Sequence, residues 1–171
     1  DMSSMFFGAT SFNSALSFDT KNVTSMSNMF NGATSFNQPL IFNTENVTST
    51  FRMFQNATSF NSTLTFSNTL SITNMSSMFR DATSYNQIIS LNTSSVTRMS
   101  NMFQNATSFN QPLGFDTSSV IDMDFMFYGA SSFNQRLNFN TSSVINMYSV
   151  FRDAISFNQI ISFNTSNVTN M

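Results

Sequence analysis

Cysteine, histidine and tryptophan are absent from this chain of 171 residues, and glycine (4) and proline (2) are scarce. Without cysteine there is no disulfide framework and no thiolate chemistry. Without histidine or cysteine, nucleophile–base pairs of the Ser–His or Cys–His kind cannot be built, and the usual zinc ligands are missing. Charged residues make up 8% of the chain and the net charge is −2. Such a chain carries no basic field for nucleic acid and no polybasic patch for anionic lipid. No apolar run reaches the ~18 residues of a membrane span. No phosphate-cradling glycine loop occurs. With one Glu and one Lys in all, general acid–base work has little to draw on. The chain reads as a non-enzyme that needs no cofactor and no metal.

Phenylalanine (22) and methionine (13) are abundant, with Ser, Thr and Asn supplying the polar surface, and they recur in a pattern. The pair Phe-Asn appears at Phe12-Asn13, Phe36-Asn37, Phe60-Asn61, Phe109-Asn110, Phe133-Asn134 and Phe157-Asn158, with Tyr85-Asn86 as the fourth of the series. Successive spacings are 24, 24, 25, 24, 24 and 24. Seven copies at one period signal a repeat architecture, in which no unit can bury its apolar face alone. The extra residue falls in the stretch SNTLS between Phe66 and Ile72, where a surface turn is expected to absorb it.

One unit reads V-T-x-M-x-x-M-F-x-x-A-T-S-F-N-Q-x-L-x-F-x-T-x-x. In the second copy Val23, Met26, Met29, Phe30 and Ala33 follow a helical period. The spacing predicts a short helix or 3₁₀ segment from about Val23 to Ala33. Leu40 and Phe42 alternate, predicting a strand of about three residues that begins beside Pro39. Asp or Asn before Thr, as at Asp19, Asn43, Asn92, Asp116, Asn140 and Asn164, predicts an Asx turn or a helix N-cap. The whole chain, 1–171, is expected to form a single repeat domain, a segment of a longer repeat chain. It is an α/β solenoid of seven stacked coils, each a short parallel strand plus a short helical segment. Phe30 and Phe36 with their equivalents should form two aromatic spines. The Asn column (Asn13, Asn37, Asn61, Asn86, Asn110, Asn134, Asn158) lies between apolar columns and is expected to form an inward amide ladder.

The stretch NVTSMSNMFNGATSFNQPL resembles the repeat of the BspA-like leucine-rich-repeat surface proteins. It is most similar to their branch in mycoplasma-type surface lipoproteins and in some protist and giant-virus proteins. The V-T-x-M, M-F-x-x-A and F-N-Q elements carry the resemblance along the whole chain. That branch usually has Trp-Asp after the strand, and here Phe stands in, at Phe42-Asn43 and Phe115-Asp116. The resemblance implies a leucine-rich-repeat-like solenoid at an extracellular, cell or virion surface, used for adhesion or partner binding.

Other features invite ligands. Asp116, Asp122 and Asp124 fall within one coil and could hold Ca²⁺, although the trio recurs nowhere else and Asp116 serves equally as a turn cap. Arg80-Asp81 and Arg152-Asp153 sit at matching places, as solvated pairs or lateral contacts. Ten N-glycosylation sequons are present, close to what this composition generates by chance. Those at Asn22, Asn46, Asn56, Asn105 and Asn167 are expected to be exposed. Columns of Thr (Thr10, Thr34, Thr58, Thr83, Thr107 and Thr24, Thr48, Thr73, Thr97) admit an ice-binding reading, interrupted by Ser131, Ile155, Ile121 and Ile145. The partners expected are proteins or glycans at a surface, or copies of the chain itself. The functions expected are an adhesive or structural scaffold first and a self-associating extracellular filament second.

Overall fold

The computed structural model describes all of residues 1–171. Seven units lie one on another, and each bonds its neighbour through residues one repeat apart in sequence. No helix is present. The segment with helical spacing is instead a run of tight turns. In the second unit the N–H groups of Met29, Asn31, Ala33 and Phe36 donate to the carbonyls three residues back, at Met26, Asn28, Phe30 and Ala33. The intervening donors point elsewhere: Met26, Asn28, Phe30 and Gly32 bond Ser49, Phe51, Met53 and Gln55 of the next unit. Turn bonds three residues apart place apolar side chains on one face at nearly the interval a helix would, so the period alone could not separate the two.

Backbone geometry decides against the helix. Each unit holds two residues in the left-handed region, four apart: Asn28 (φ 58°) and Gly32 (φ 75°) in the second unit, Asn101 (φ 59°) and Asn105 (φ 53°) in the fifth. Each is the third residue of a turn closed by an i to i+3 bond, where a type II turn requires positive φ. Gly, Asn and Asp tolerate it best, which accounts for the Gly, Asn or Asp that precedes each buried Ala. Such a residue stops an α-helix after one turn.

The strand expectation holds in two units. β1 (Leu40–Phe42) and β2 (Leu64–Phe66) pair in parallel, Leu40 opposite Leu64. The other units form no strand here. Parallel bridging runs instead along a different column, from Ser25 to Ser49, Asn74, Arg98, Asp122, Asn146 and Asn170. The extra residue of the one longer unit is accommodated at Ser67, between β2 and the next Asx turn, where its N–H reaches Phe42 O.

Burial concentrates in vertical columns. Phe6, Phe30, Phe54, Phe79, Phe103, Phe127 and Phe151 stack face to face at centroid distances of 5.2–5.7 Å. Phe12, Phe36, Phe60, Tyr85, Phe109, Phe133 and Phe157 form a second spine at 5.6–6.1 Å. Within a unit the two spines touch at 4.1–4.3 Å. Two methionine columns, such as Met75, Met99 and Met123 beside Met78, Met102 and Met126, fill the space against them. A third aromatic column, at Phe42–Phe66, Phe115–Phe139 and Phe139–Phe163, opens to 6.4 Å.

Candidate functional surface

Two polar ladders run along the stack. The Asn column is a surface ladder, not an inward one. Asn13 and Asn37 are exposed, and Asn61, Asn86, Asn110 and Asn134 half-buried. From Asn13 to Asn134, each Asn side-chain oxygen accepts the backbone N–H of the Asn one unit on, at 2.8–2.9 Å. The same oxygen accepts the amide of the following Gln in most units (Gln38, Gln87, Gln111, Gln135, Gln159) at 3.0–3.1 Å. The Phe beside each Asn already occupies the interior, and alternation turns the Asn outward.

The buried ladder belongs to Thr20, Thr44, Thr69, Thr93, Thr117 and Thr141, each at most 3% exposed. Their hydroxyls donate to the carbonyl of the Asx residue one unit on: Thr69 to Asn92 O at 2.7 Å, Thr93 to Asp116 O and Thr117 to Asn140 O at 2.9 Å. Thr44 bonds Asn68 O in the same way. The column was visible as the Thr of every Asx-Thr pair. Its role as a Val-sized side chain that carries a donor was not deduced from the sequence. The Asx turns themselves form, with the N–H of Lys21, Ser94 and Ser118 bonding the side chains of Asp19, Asn92 and Asp116.

Asp116 accepts both the hydroxyl and the N–H of Ser118, and these bonds hold its carboxyl below the usual range. It stands apart from the other two acids, and no group of three potential metal ligands is brought together anywhere. Asp122 and Asp124 do meet. Burial, and then the charge of Asp122, push the Asp124 carboxyl up to about 6, and Asp124 Oδ1 is buried without a partner. The Arg80–Asp81 contact is 3.2 Å, and the more exposed Arg152–Asp153 contact 3.7 Å.

Of the five sequon asparagines, Asn22, Asn46, Asn56 and Asn167 are exposed and Asn105 is half-buried. The amide nitrogen on which a glycan would be built is already a donor in three of them. Asn46 bonds Lys21 O, Asn105 bonds Asp81 Oδ1, and Asn167 bonds Ser142 O. The Thr columns also spend their hydroxyl donors, with Thr34, Thr48, Thr97 and Thr107 each bonding a backbone carbonyl of the preceding unit at 3.2–3.3 Å.

A lateral patch departs from the pattern of the second unit. Residues 120–130 read VIDMDFMFYGA where residues 23–33 read VTSMSNMFNGA. The core letters are kept, and five outward letters change to Ile121, Asp122, Asp124, Phe125 and Tyr128. Phe125 packs edge-on against Tyr148 (5.2 Å, 80°) and Tyr128 (5.8 Å, 78°), and the Arg152 guanidinium lies 5.7 Å from the Tyr128 ring centre. Phe125 holds φ at 53°, a costly conformation for a bulky side chain. Column-by-column comparison of the repeats would have found this patch from sequence.

The geometry thus defines a repeat protein whose surfaces carry polar ladders and a lateral aromatic patch. The chain belongs to the family described as "Mycoplasma protein of unknown function, DUF285", which matches it in three overlapping stretches, residues 1–90, 63–138 and 114–171. No curated protein and no solved structure matches it.

Proposed function

We propose that the chain is a non-enzymatic scaffold, displayed at a cell or particle surface, that adheres through protein–protein contacts on the flank of a leucine-rich-repeat-like solenoid. Kinship with BspA-like surface repeats is part of this reading. The observation that carries it is the patch of Phe125, Tyr128, Tyr148 and Arg152. Tyrosine and arginine are the residue types that dominate binding hot spots. Here Phe125, Tyr128, Tyr148 and Arg152 pack against one another on one flank, and Phe125 is held in a strained backbone. Strain kept at the surface by a bulky ring, where five other units carry Ser or Asn, is a mark of a functional position.

The test gives the patch the residues of the second unit with Phe125→Asn, Tyr128→Asn and Tyr148→Ser, and measures binding of the labelled chain to protease-treated and glycosidase-treated cell surfaces. Binding that is protease-sensitive and falls at least ~10-fold in the variant supports the reading. Equal binding by both chains removes it, and loss on glycosidase treatment alone points to a glycan instead. A second reading, a self-associating extracellular filament subunit, draws on the low charge, 8% of residues, which leaves little repulsion between copies. The ice-binding reading gains nothing from Thr columns whose hydroxyl donors are already spent.

A further inference from the structure

Each unit carries a pair of adjacent residues on its turn flank, and the second of the pair always has a left-handed backbone. Four units fill the pair with short polar side chains: Ser3-Ser4, Ser27-Asn28, Ser76-Ser77 and Ser100-Asn101. The third unit has Phe51-Arg52 and the sixth has Asp124-Phe125. Arg52 (φ 57°) and Phe125 (φ 53°) are the two long or bulky side chains held in this strained column. Arg52 is exposed, and its guanidinium lies 4.6 Å from the ring centre of the half-buried Phe51.

The two sites are complementary, ring and cation against acid and ring. The ion pairs of the chain are Arg80–Asp81 and Arg152–Asp153, so neither Arg52 nor Asp124 has an ionic partner. They cannot reach each other within one chain, because three units separate them by roughly 14 Å at strand-like spacing. Between them lie the short side chains of Ser76, Ser77, Ser100 and Asn101, with both Ser76 and Ser77 buried. Two such flanks can therefore close until the longer residues touch.

We infer that this flank binds a second copy of the chain: two copies pair antiparallel, Phe51-Arg52 of each against Asp124-Phe125 of the other. This rests on the reading of the flank as the adhesive face and names its partner. A twofold axis between the fourth and fifth units lays the third unit of each copy over the sixth of the other. The same axis exchanges the two columns of the pair. Phe51 then meets Phe125 ring to ring, and Arg52 meets the Asp124 carboxylate, each contact made twice. A parallel pairing would set the third unit on itself and leave Asp124 against Phe125, with no charge matched. The antiparallel contact is isologous, so it closes at two copies.

The test uses the whole chain and two charge reversals, Arg52→Asp and Asp124→Arg. Sedimentation velocity at rising concentration should show the parent chain forming a dimer. Each reversal alone sets like charges together twice and should weaken pairing at least ~30-fold. The equimolar mixture of the two variants should pair again, to within ~10-fold of the parent, because every charge then faces its opposite. Phe51→Ser, which installs the residue of the neighbouring units, should weaken pairing ~10-fold. Raising the salt concentration should weaken the parent's dimer, a readout that needs no variant to fold. A parent chain still monomeric at millimolar concentration overturns the inference. So does association that resists salt, or that Arg52→Asp leaves intact, since that contact is a different one. Both reversals keep Tyr128, Tyr148 and Arg152. A chain that fails to dimerise yet binds cell surfaces through the patch removes the self-pairing and leaves the adhesive reading standing. Dimers that form while the cell-surface test fails do the reverse.

Discussion

The turn edge and the strand edge of each unit are built on opposite terms. The turn edge, from Val23 to Ala33 and its equivalents, looks irregular, yet it is bonded through every one of the seven units. The strand edge, with its clean Leu-x-Phe alternation, forms a paired ladder between β1 and β2 alone. Ring spacing tells the same story, with centroids 5.2–5.7 Å apart in the spine nearest the turn edge and 6.4 Å apart in the strand column. Regularity of side-chain pattern is therefore not where the cohesion lies. A turn that spends every second N–H inside itself and every other one on its neighbour can hold a stack as well as a sheet does.

Removing a ring from each edge should show the largest difference between them. Phe79→Ala, in the fully buried spine with a stacked ring on either side, is expected to cost about 3–5 kcal/mol. Phe115→Ala, which has a stacked ring on one side alone, is expected to cost about 2 kcal/mol. Equal losses in urea unfolding would mean that the strand edge contributes as much as the turn edge. Glycines give the next largest contrast. Gly129→Ala meets a backbone at φ +66° and would place a Cβ 2.3 Å from Asn105 Oδ1, for a loss of about 1–3 kcal/mol. Gly114→Ala on the strand edge meets nothing within 4 Å and should be neutral or stabilise by up to about 1 kcal/mol.

The smallest effect concerns charge on the turn edge. Asp124 binds its proton more tightly in the folded state, up to about 6 against an ordinary 3.8. The folded chain thus holds more protons between those values, so this residue's contribution is fullest below the lower one and is lost as pH rises through the upper. Asp124→Asn should raise the melting temperature at pH 7.5 by a few degrees at most, since the residue is only half-buried and solvent screens part of its charge. The gain should vanish by pH 4. A gain that persists there would assign the effect to packing instead of charge.

Much of the architecture was legible from residues alone. The period, the unit boundaries, the two aromatic spines, the strand at Leu40–Phe42 and the Asx turns follow from spacing and from the chemistry of Asp, Asn and Thr. The helix did not survive, because Met26, Met29, Phe30 and Ala33 satisfy a turn repeat as well as a helical one. The signal that separates them, a Gly, Asn or Asp before each Ala, is a backbone signal that an apolar count overlooks. The inward Asn ladder failed for a related reason. Constancy in every repeat marks a column as needed for stacking, not as buried, and the buried donor is Thr, small enough to sit among Val and Met. The lateral patch escaped notice because a consensus hides the units that depart from it, as the third also does at Phe51 and Arg52.

The uniform phase of the bonds between units has a consequence for length. Every unit offers the same donors upward and the same acceptors downward, so removing or adding one whole repeat anywhere leaves each remaining partner matched. Recombination between copies can then lengthen or shorten the molecule without redesigning it. The near-identity of residues 78–89 (MFRDATSYNQII) and 150–161 (VFRDAISFNQII), three units apart, is the trace such copying leaves. Reach becomes a quantity that genetic change can adjust in fixed steps, much as a rack is extended by whole teeth. A change that falls one position short of a whole repeat would instead set a ring such as Phe36 against the Ser column, at Ser59, and dismantle the stack at that joint.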